Sequence, residues 1–388
     1  MHGSSCHSLR DKYIQGSEIL KKVIIIPDSF KGSLSSSEAA GILNDVILTA
    51  AGHETLCVPM ADGGEGSTEC IIKAMGGEIK ETVVHAPDNR LITAHYGITL
   101  NRTAVVEIAE SSGITKVLNN DAPDASTYGF GELILKCLDE GLRDFLLCLG
   151  GSATTDCGCG MAAALGIEFL DADGKAFVPV GRTLRDVVTI DTSHIDKRIW
   201  QSNFTVMSDV ENPLFGPLGA AYIYGPQKGA SKEEVAMLDA GLVHISNVMR
   251  RAGFKDPGSV KGAGAAGGAG YGCVAFLNAT IESGINAMLD ICHFDDAVVN
   301  TAYIVTGEGK LDEQSFMGKV IGGIRKRSMG KPLIVFCGKN EVNPGRLAAL
   351  GITAVEIAPD VPAEESMRNA EKYLREAATE FMKAHPEL

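Results

Sequence analysis

Five short polar stretches, scattered along 388 residues, carry the residue types that handle phosphate. Asp28, Ser29 and Lys31 follow a first apolar run, and Asp62, Gly63, Gly64, Glu65 and Ser67 follow a second. Gly150, Gly151, Ser152, Thr154, Thr155 and Asp156 follow a third, Asp209, Glu211 and Asn212 a fourth, and Glu308, Lys310, Asp312 and Ser315 a fifth. Lysines can neutralise phosphate oxygens, while hydroxyls and the backbone N–H groups of a Gly-rich turn can cradle them. Clustered carboxylates can hold Mg²⁺, or orient and deprotonate an attacking hydroxyl. The combination fits phosphoryl transfer, in which positioning and charge neutralisation supply most of the catalysis. No Gly-x-x-x-x-Gly-Lys-Ser/Thr pattern, protein-kinase motif or Gly-x-Ser-x-Gly elbow is present, so neither common nucleotide-binding class applies.

Each residue also has a plain structural explanation. Asp28 and Asp62 suit turns or helix caps, and Lys31 suits a solvated surface. Asp209 to Asn212 could open a loop before Pro213, Lys310 and Asp312 could form an exposed ion pair, and residues 150–154 could be a packing turn. His194, His244 and His293 lie apart without a ligand spacing, and Cys157-Gly-Cys159 is too tight for a structural zinc site.

The elements that must place these residues alternate. An apolar β-branched run at 22–27 precedes the pattern Ser35-x-x-Glu38, a capping box that opens a helix to about residue 51. A strand at 53–59, a polar turn and a helix at 68–75 follow. Alternating residues over 78–100, broken by Pro87-Asp-Asn-Arg90, predict a hairpin, extended by a strand at 103–108. A helix at 130–140 leads to the strand at 145–149, its Gly-rich loop and an Ala-rich helix, whose N-terminus would favour an anion. A strand at 204–208 and an amphipathic helix opened by Ser231 come next. Residues 261–272 hold so few side chains that they read as a linker, a ligand-approaching loop, a hinge or a close backbone contact. Strands at 303–306, 333–337 and 353–357 and a closing helix at 364–384 restore the βα rhythm.

Five βα units thus lie at the two ends of the chain with a different segment between them. The expected architecture is α/β, a doubly wound parallel sheet built from residues 21–76 and 301–388, with 77–300 inserted as a second domain and 1–20 as a flexible extension. The ligand site is expected at the carboxyl ends of the strands. The formal net charge of -14 argues against general affinity for nucleic acid or an anionic membrane. No apolar run approaches the roughly 20 residues that span a bilayer, and no signal-peptide core is evident, so a cytoplasmic location is expected. The ten cysteines sit in apolar stretches, which suits reduced, buried thiols.

Pro27-Asp-Ser-Phe-Lys-Gly-Ser-Leu34, Met60-Ala-Asp-Gly-Gly-Glu-Gly66, Gly150-Gly-Ser-Ala-Thr154, Asp209-Val-Glu-Asn-Pro-Leu214 and Thr306-Gly-Glu-Gly-Lys-Leu-Asp312 together resemble the bacterial type I glycerate kinase family. The resemblance runs from about residue 22 to about 382, with Cys157 and Cys159 standing where that family more often has glycine or alanine. It implies a flavodoxin-like domain with a restriction-endonuclease-like α/β domain inserted into it. It also implies ATP-dependent phosphorylation of D-glycerate, at the 2-hydroxyl by preference; with ATP and Mg²⁺ as cofactors, substrate and nucleotide are expected in the cleft between the domains. Partners are then small molecules, and a homo-oligomer is left open.

Chemistry assigns the roles on that reading. Lys31 and Lys310 contact phosphate or the glycerate carboxylate, and Asp209 serves as base or hydroxyl-orienting group. Asp28, Ser29, Gly63, Gly64, Gly150, Gly151, Ser152, Thr154 and Asn212 bind substrate or phosphate, and Asp312 or Asp62 helps hold Mg²⁺. Three rivals remain: a dinucleotide oxidoreductase, for which the Gly-x-Gly-x-x-Gly fingerprint after Ile26 is missing, a non-catalytic acid-binding protein, and a kinase of a related sugar acid.

Overall fold

The computed structural model describes residues 21–386 except 31, 52, 59, 62, 120, 257–259 and 317–319. Lys31, Asp62 and the extension expected over 1–20 lie outside the described residues. The chain divides into two compact units, the described parts of Met1–Pro59 with His293–Leu388, and of Met60–Cys292.

In the first unit five strands form one sheet: β1 (Lys22–Ile25), β2 (Glu54–Cys57), β12 (Thr301–Leu311), β13 (Leu333–Asn340) and β14 (Ile352–Glu356). Their order is β14-β13-β12-β1-β2 and every pairing is parallel. Numbered within the unit, the order is 2-1-3-4-5, so its direction reverses between β1 and β12. Val23, Ile24 and Ile25 are wholly buried, as strands covered on both faces require. The helix Ser36–Ala51 begins where the Ser35 hydroxyl accepts from Glu38 N at 3.2 Å while the Glu38 carboxylate accepts from Ser35 N at 2.8 Å. Its apolar face and that of the helix Ala370–Ala384 bury Leu43, Ile47 and Leu374 against Val23, Val305 and Phe336.

Two expectations needed correcting here. Residues 307–311 extend β12 as strand, with Glu308 beside Cys337 and Lys310 beside Lys339, because the facing strand runs on too. The closing segment is two helices, Ala363–Arg368 and Ala370–Ala384, separated at Asn369.

The second unit is built on a six-stranded sheet of order β11 (Thr280–Glu282), β10 (Asn203–Met207), β6 (Asp144–Cys148), β5 (Thr103–Glu107), β4 (Leu91–Thr99) and β3 (Gly77–His85). β3 and β4 are the predicted hairpin, and β5 pairs antiparallel with β4. β6, β10 and β11 continue from β5 in parallel. β7 (Glu168–Leu170), β8 (Ala176–Phe177) and β9 (Thr189–Asp191) form a small antiparallel sheet. Phe145 and Phe204 stack at 4.6 Å across neighbouring strands. The helix Lys232–Arg251 starts at a Ser231–Glu234 capping box and buries Val235, Leu238, Leu242, Ile245 and Met249 at helical spacing.

The helix Ser67–Met75, expected with the N-terminal domain, belongs to this unit. Gly97 of β4 lets it approach, since a Cβ there would come within 2.8 Å of Ile72 and 2.9 Å of Thr68. Among the described residues no helix is long and apolar enough to cross a membrane.

Candidate active site

β6 and β10 are parallel neighbours, and Cys148 stands in register with Met207, so the segments after them leave the same end of the sheet. The turn at 63–66 packs beside them. Gly150 N donates to the Gly63 carbonyl at 2.7 Å, a Cβ on Gly150 would lie 2.5 Å from Gly64 Cα, and one on Gly63 would lie 2.5 Å from the Met207 carbonyl oxygen. Gly63, Gly64, Gly150, Gly151, Ser152 and Thr154 are therefore gathered at one place. Backbone approach of this closeness is what the glycines supply.

The loop is clasped by a residue that the sequence reading missed. Lys228, at the end of the single turn Pro226–Lys228, donates from Nζ to Ser152 Oγ at 2.9 Å and to the Thr154 carbonyl oxygen at 2.7 Å. It is 4% exposed. Burial depresses its basicity to about 7, with the Asp156 carboxylate pulling the other way. The Thr154 and Thr155 hydroxyls are buried and have no hydrogen-bond partner among the described residues. Nothing local marks Lys228 in the sequence, because its partners lie 76 and 74 residues away.

The backbone of the loop is less available than the sequence suggested. Gly150 N, Ala153 N and Cys157 N donate to Gly63, Ser112 and Gly267. The helix behind the loop, Cys159–Ala164, has only six residues, and its start is occupied by the protein's own anion. Asp156, wholly buried, accepts from Gly158 N at 3.1 Å, Gly160 N at 3.2 Å, Thr127 N at 2.8 Å and Thr127 Oγ1 at 2.7 Å. Thr127 Oγ1 in turn accepts from Met161 N at 2.9 Å, which fixes its hydrogen toward Asp156. Burial raises this carboxyl while the four donors act to lower it. Glu107 does the same for the helix Ser67–Met75, accepting from Gly66 N at 3.0 Å and from Thr68 N. The helix start is thus already taken, and the polar side chains gathered at this loop are the Ser152, Thr154 and Thr155 hydroxyls and Lys228. Burial also pushes the Cys157 and Cys159 thiols far up, which keeps them protonated and inert.

The Gly-rich segment is the packing partner of this loop. Ala266 and Gly267 adopt left-handed conformations in the turn Ala265–Gly268, and the helix Ala269–Leu277 follows directly. A Cβ on Gly272 would lie 2.4 Å from the Cys157 carbonyl oxygen. Of the readings open for 261–272, the close backbone contact is the one observed.

After β10, Asp209 is exposed and its Oδ1 accepts from Gly284 N at 3.0 Å, ahead of the helix Gly284–Ile291. The Asn212 side chain is engaged within the protein, its Nδ2 donating to the Leu218 carbonyl at 2.8 Å and its Oδ1 accepting from Tyr224 OH at 2.7 Å. That amide clasps its own loop.

In the first unit Asp28 and Ser29 follow β1 beside β12, with Asp28 N donating to the Gly307 carbonyl at 2.7 Å and Asp28 Oδ1 accepting from Ser29 N at 2.6 Å. The sheet order reverses at this point, where doubly wound sheets bind ligands. Lys310 is exposed and paired with Glu341 at 2.9 Å and Asp312 at 3.6 Å, which hold its ammonium above the ordinary lysine value. Asp312 Oδ1 accepts from Gln314 N at 2.9 Å, and Asp312 N donates to Ser315 Oγ at 3.1 Å, so Asp312 also organises the turn Glu313–Phe316.

Comparison with known proteins agrees over nearly the whole length. The model of the glycerate kinase family matches residues 23–385. A glycerate kinase of Halalkalibacterium halodurans is 36% identical over 369 residues, 92% of this chain and 97% of that protein. A glycerate 2-kinase of Escherichia coli K12 is 37% identical over 343 residues, 86% and 89% of the two chains. The crystal structure of a Salmonella typhimurium LT2 protein named glycerate kinase 2 superposes with a TM-score of 0.80 at 34% identity, covering 95% of this chain and all of that one. With motifs, fold and full-length relatives in agreement, the chain belongs to the glycerate kinase family.

Proposed function

We propose that the protein transfers the γ-phosphoryl group of ATP to the 2-hydroxyl of D-glycerate, giving 2-phosphoglycerate and ADP in the cytoplasm. The observation that carries this reading is the loop 150–155, whose Ser152, Thr154 and Thr155 hydroxyls and buried Lys228 form a donor cluster at a sheet end, in a chain of this family. The 2-position is supported by the relative named glycerate 2-kinase. The 2-1-3-4-5 order of the first sheet supports a flavodoxin-like domain, and we read the second unit as the restriction-endonuclease-like insertion.

In this mechanism Ser152 and Thr154 donate to phosphate oxygens, and Asp209 orients the attacking hydroxyl and receives its proton. Lys310 neutralises phosphate or the glycerate carboxylate, and Asp28 and Ser29 contact substrate. Asp312 suits Mg²⁺ by its chemistry: one carboxylate oxygen is engaged by Gln314 N, and the other faces the Lys310 ammonium, a place where positive charge is already favoured. When bound, Mg²⁺ would neutralise and align the β- and γ-phosphate oxygens.

The test is the NMR spectrum of products after incubation with ATP, Mg²⁺ and D-glycerate, alongside coupled ADP release. Glycerate-dependent ADP with phosphorus coupled to the C2 proton is expected. Phosphorylation at C3 would overturn the regiochemistry, and no glycerate-dependent ADP would overturn the activity.

A further inference from the structure

Burying an ammonium is unfavourable unless something requires it, and an apolar residue of similar length usually serves stability as well or better. Lys228 is nonetheless 4% exposed, held by two acceptors of the loop 150–155. Around it, part of the backbone that could meet an anion is already engaged. Gly150 N, Ala153 N and Cys157 N are bound within the protein, and Asp156 occupies the start of the following helix. The Ser152 hydroxyl accepts from Lys228, so its own hydrogen is available to another acceptor. Among the described residues no protein acceptor takes it. Buried hydroxyls without partners, such as those of Thr154 and Thr155, are rare and point to a missing partner.

We propose that Lys228 is the positioning residue of this site: seated on Ser152 Oγ and the Thr154 carbonyl, it leaves the Ser152 hydroxyl hydrogen to donate to an oxyanion and places positive charge beside the loop. The inference rests on the reading of this loop as part of the active site. Phosphate and carboxylate share the required chemistry, so the experiment separates them. Asp156 is the charged group acting on Lys228, and the turn Ala265–Gly268 against the loop carries no titratable side chain.

The full-length protein is compared with Ser152→Ala, Lys228→Met, Lys228→Arg and the double variant S152A/K228M. Turnover is measured by ADP release, and binding of ATP, inorganic phosphate and D-glycerate by calorimetry. Each single removal should lower kcat/KM about 10- to 100-fold, and the double variant little further, because the lysine acts through the serine. Wild-type affinity for the oxyanion should fall as pH rises past about 7, the value to which burial brings Lys228. K228R, always charged, should lose that pH dependence. Loss of ATP and phosphate binding in the variants identifies a phosphate, whereas loss of D-glycerate binding identifies the carboxylate. Additive effects, or a folded K228M within twofold of wild type, would overturn the proposal. If K228M does not fold, S152A and K228R decide, and wild-type parameters and pH profile in both would overturn it. Wild-type protein that binds phosphate through Ser152 but never phosphorylates D-glycerate would instead sink the activity and leave this assignment standing.

Discussion

Gly267 is pressed against Thr154 so closely that a Cβ on the glycine would lie 2.0 Å from the threonine carbonyl oxygen. The same carbonyl accepts from Lys228, so one side of the loop is held by a lysine and the other by an absent side chain. Gly267→Ala should therefore lower stability by about 2–4 kcal/mol, combining left-handed strain with the clash. Gly253→Ala, at φ 92° with open space around it, should cost only about 1 kcal/mol. Urea midpoints of the two variants check this, and equal losses would remove the packing role given to the Gly-rich segment.

Asp156 accepts four hydrogen bonds with both oxygens. Asp156→Asn would turn a donor amide toward N–H groups and leave at least one of them buried without an acceptor. A loss of about 2–3 kcal/mol is expected in thermal or urea unfolding. An Asn variant as stable as wild type would show that the helix start does not depend on this carboxylate.

Asp209→Asn keeps an oxygen for Gly284 N and removes the charge. Turnover should fall at least about 100-fold while ATP binding stays within a factor of about three, as expected when a general base is lost. Steady-state kinetics with calorimetric ATP binding tests it, and near-normal turnover would end the assignment.

The amino group of Lys228 titrates near 7 when folded and at its ordinary value of 10.5 when exposed. Between those limits the unfolded chain binds the extra proton, so this residue's contribution to stability increases with pH. Relative to Lys228→Met, wild type should gain stability from pH 7 toward pH 9, by at most about 1.4 kcal/mol per pH unit. Urea unfolding of both proteins at pH 6.5 and 9 reads the difference. A constant difference would mean that the lysine is not titrating in this range.

The sequence by itself determined what neighbours along the chain decide. Ser35 and Glu38, and Ser231 and Glu234, sit three residues apart and start their helices wherever the fold carries them. Pro87 to Arg90 turns the hairpin for the same local reason, and five motifs in order identify the family. Only the tertiary structure decided which groups meet across tens of residues. Glu107 reaches Thr68 over 39 positions and Lys228 reaches Ser152 over 76, and neither has a signal in its own neighbourhood. Residues 307–311 became strand because β13 extends beside them, and residues 261–272 became packing because Thr154 and Cys157 need bare backbone against them. Burial then fixed the chemistry, since a lysine in water keeps its proton at neutral pH, and the same lysine enclosed at 4% exposure is poised to release it.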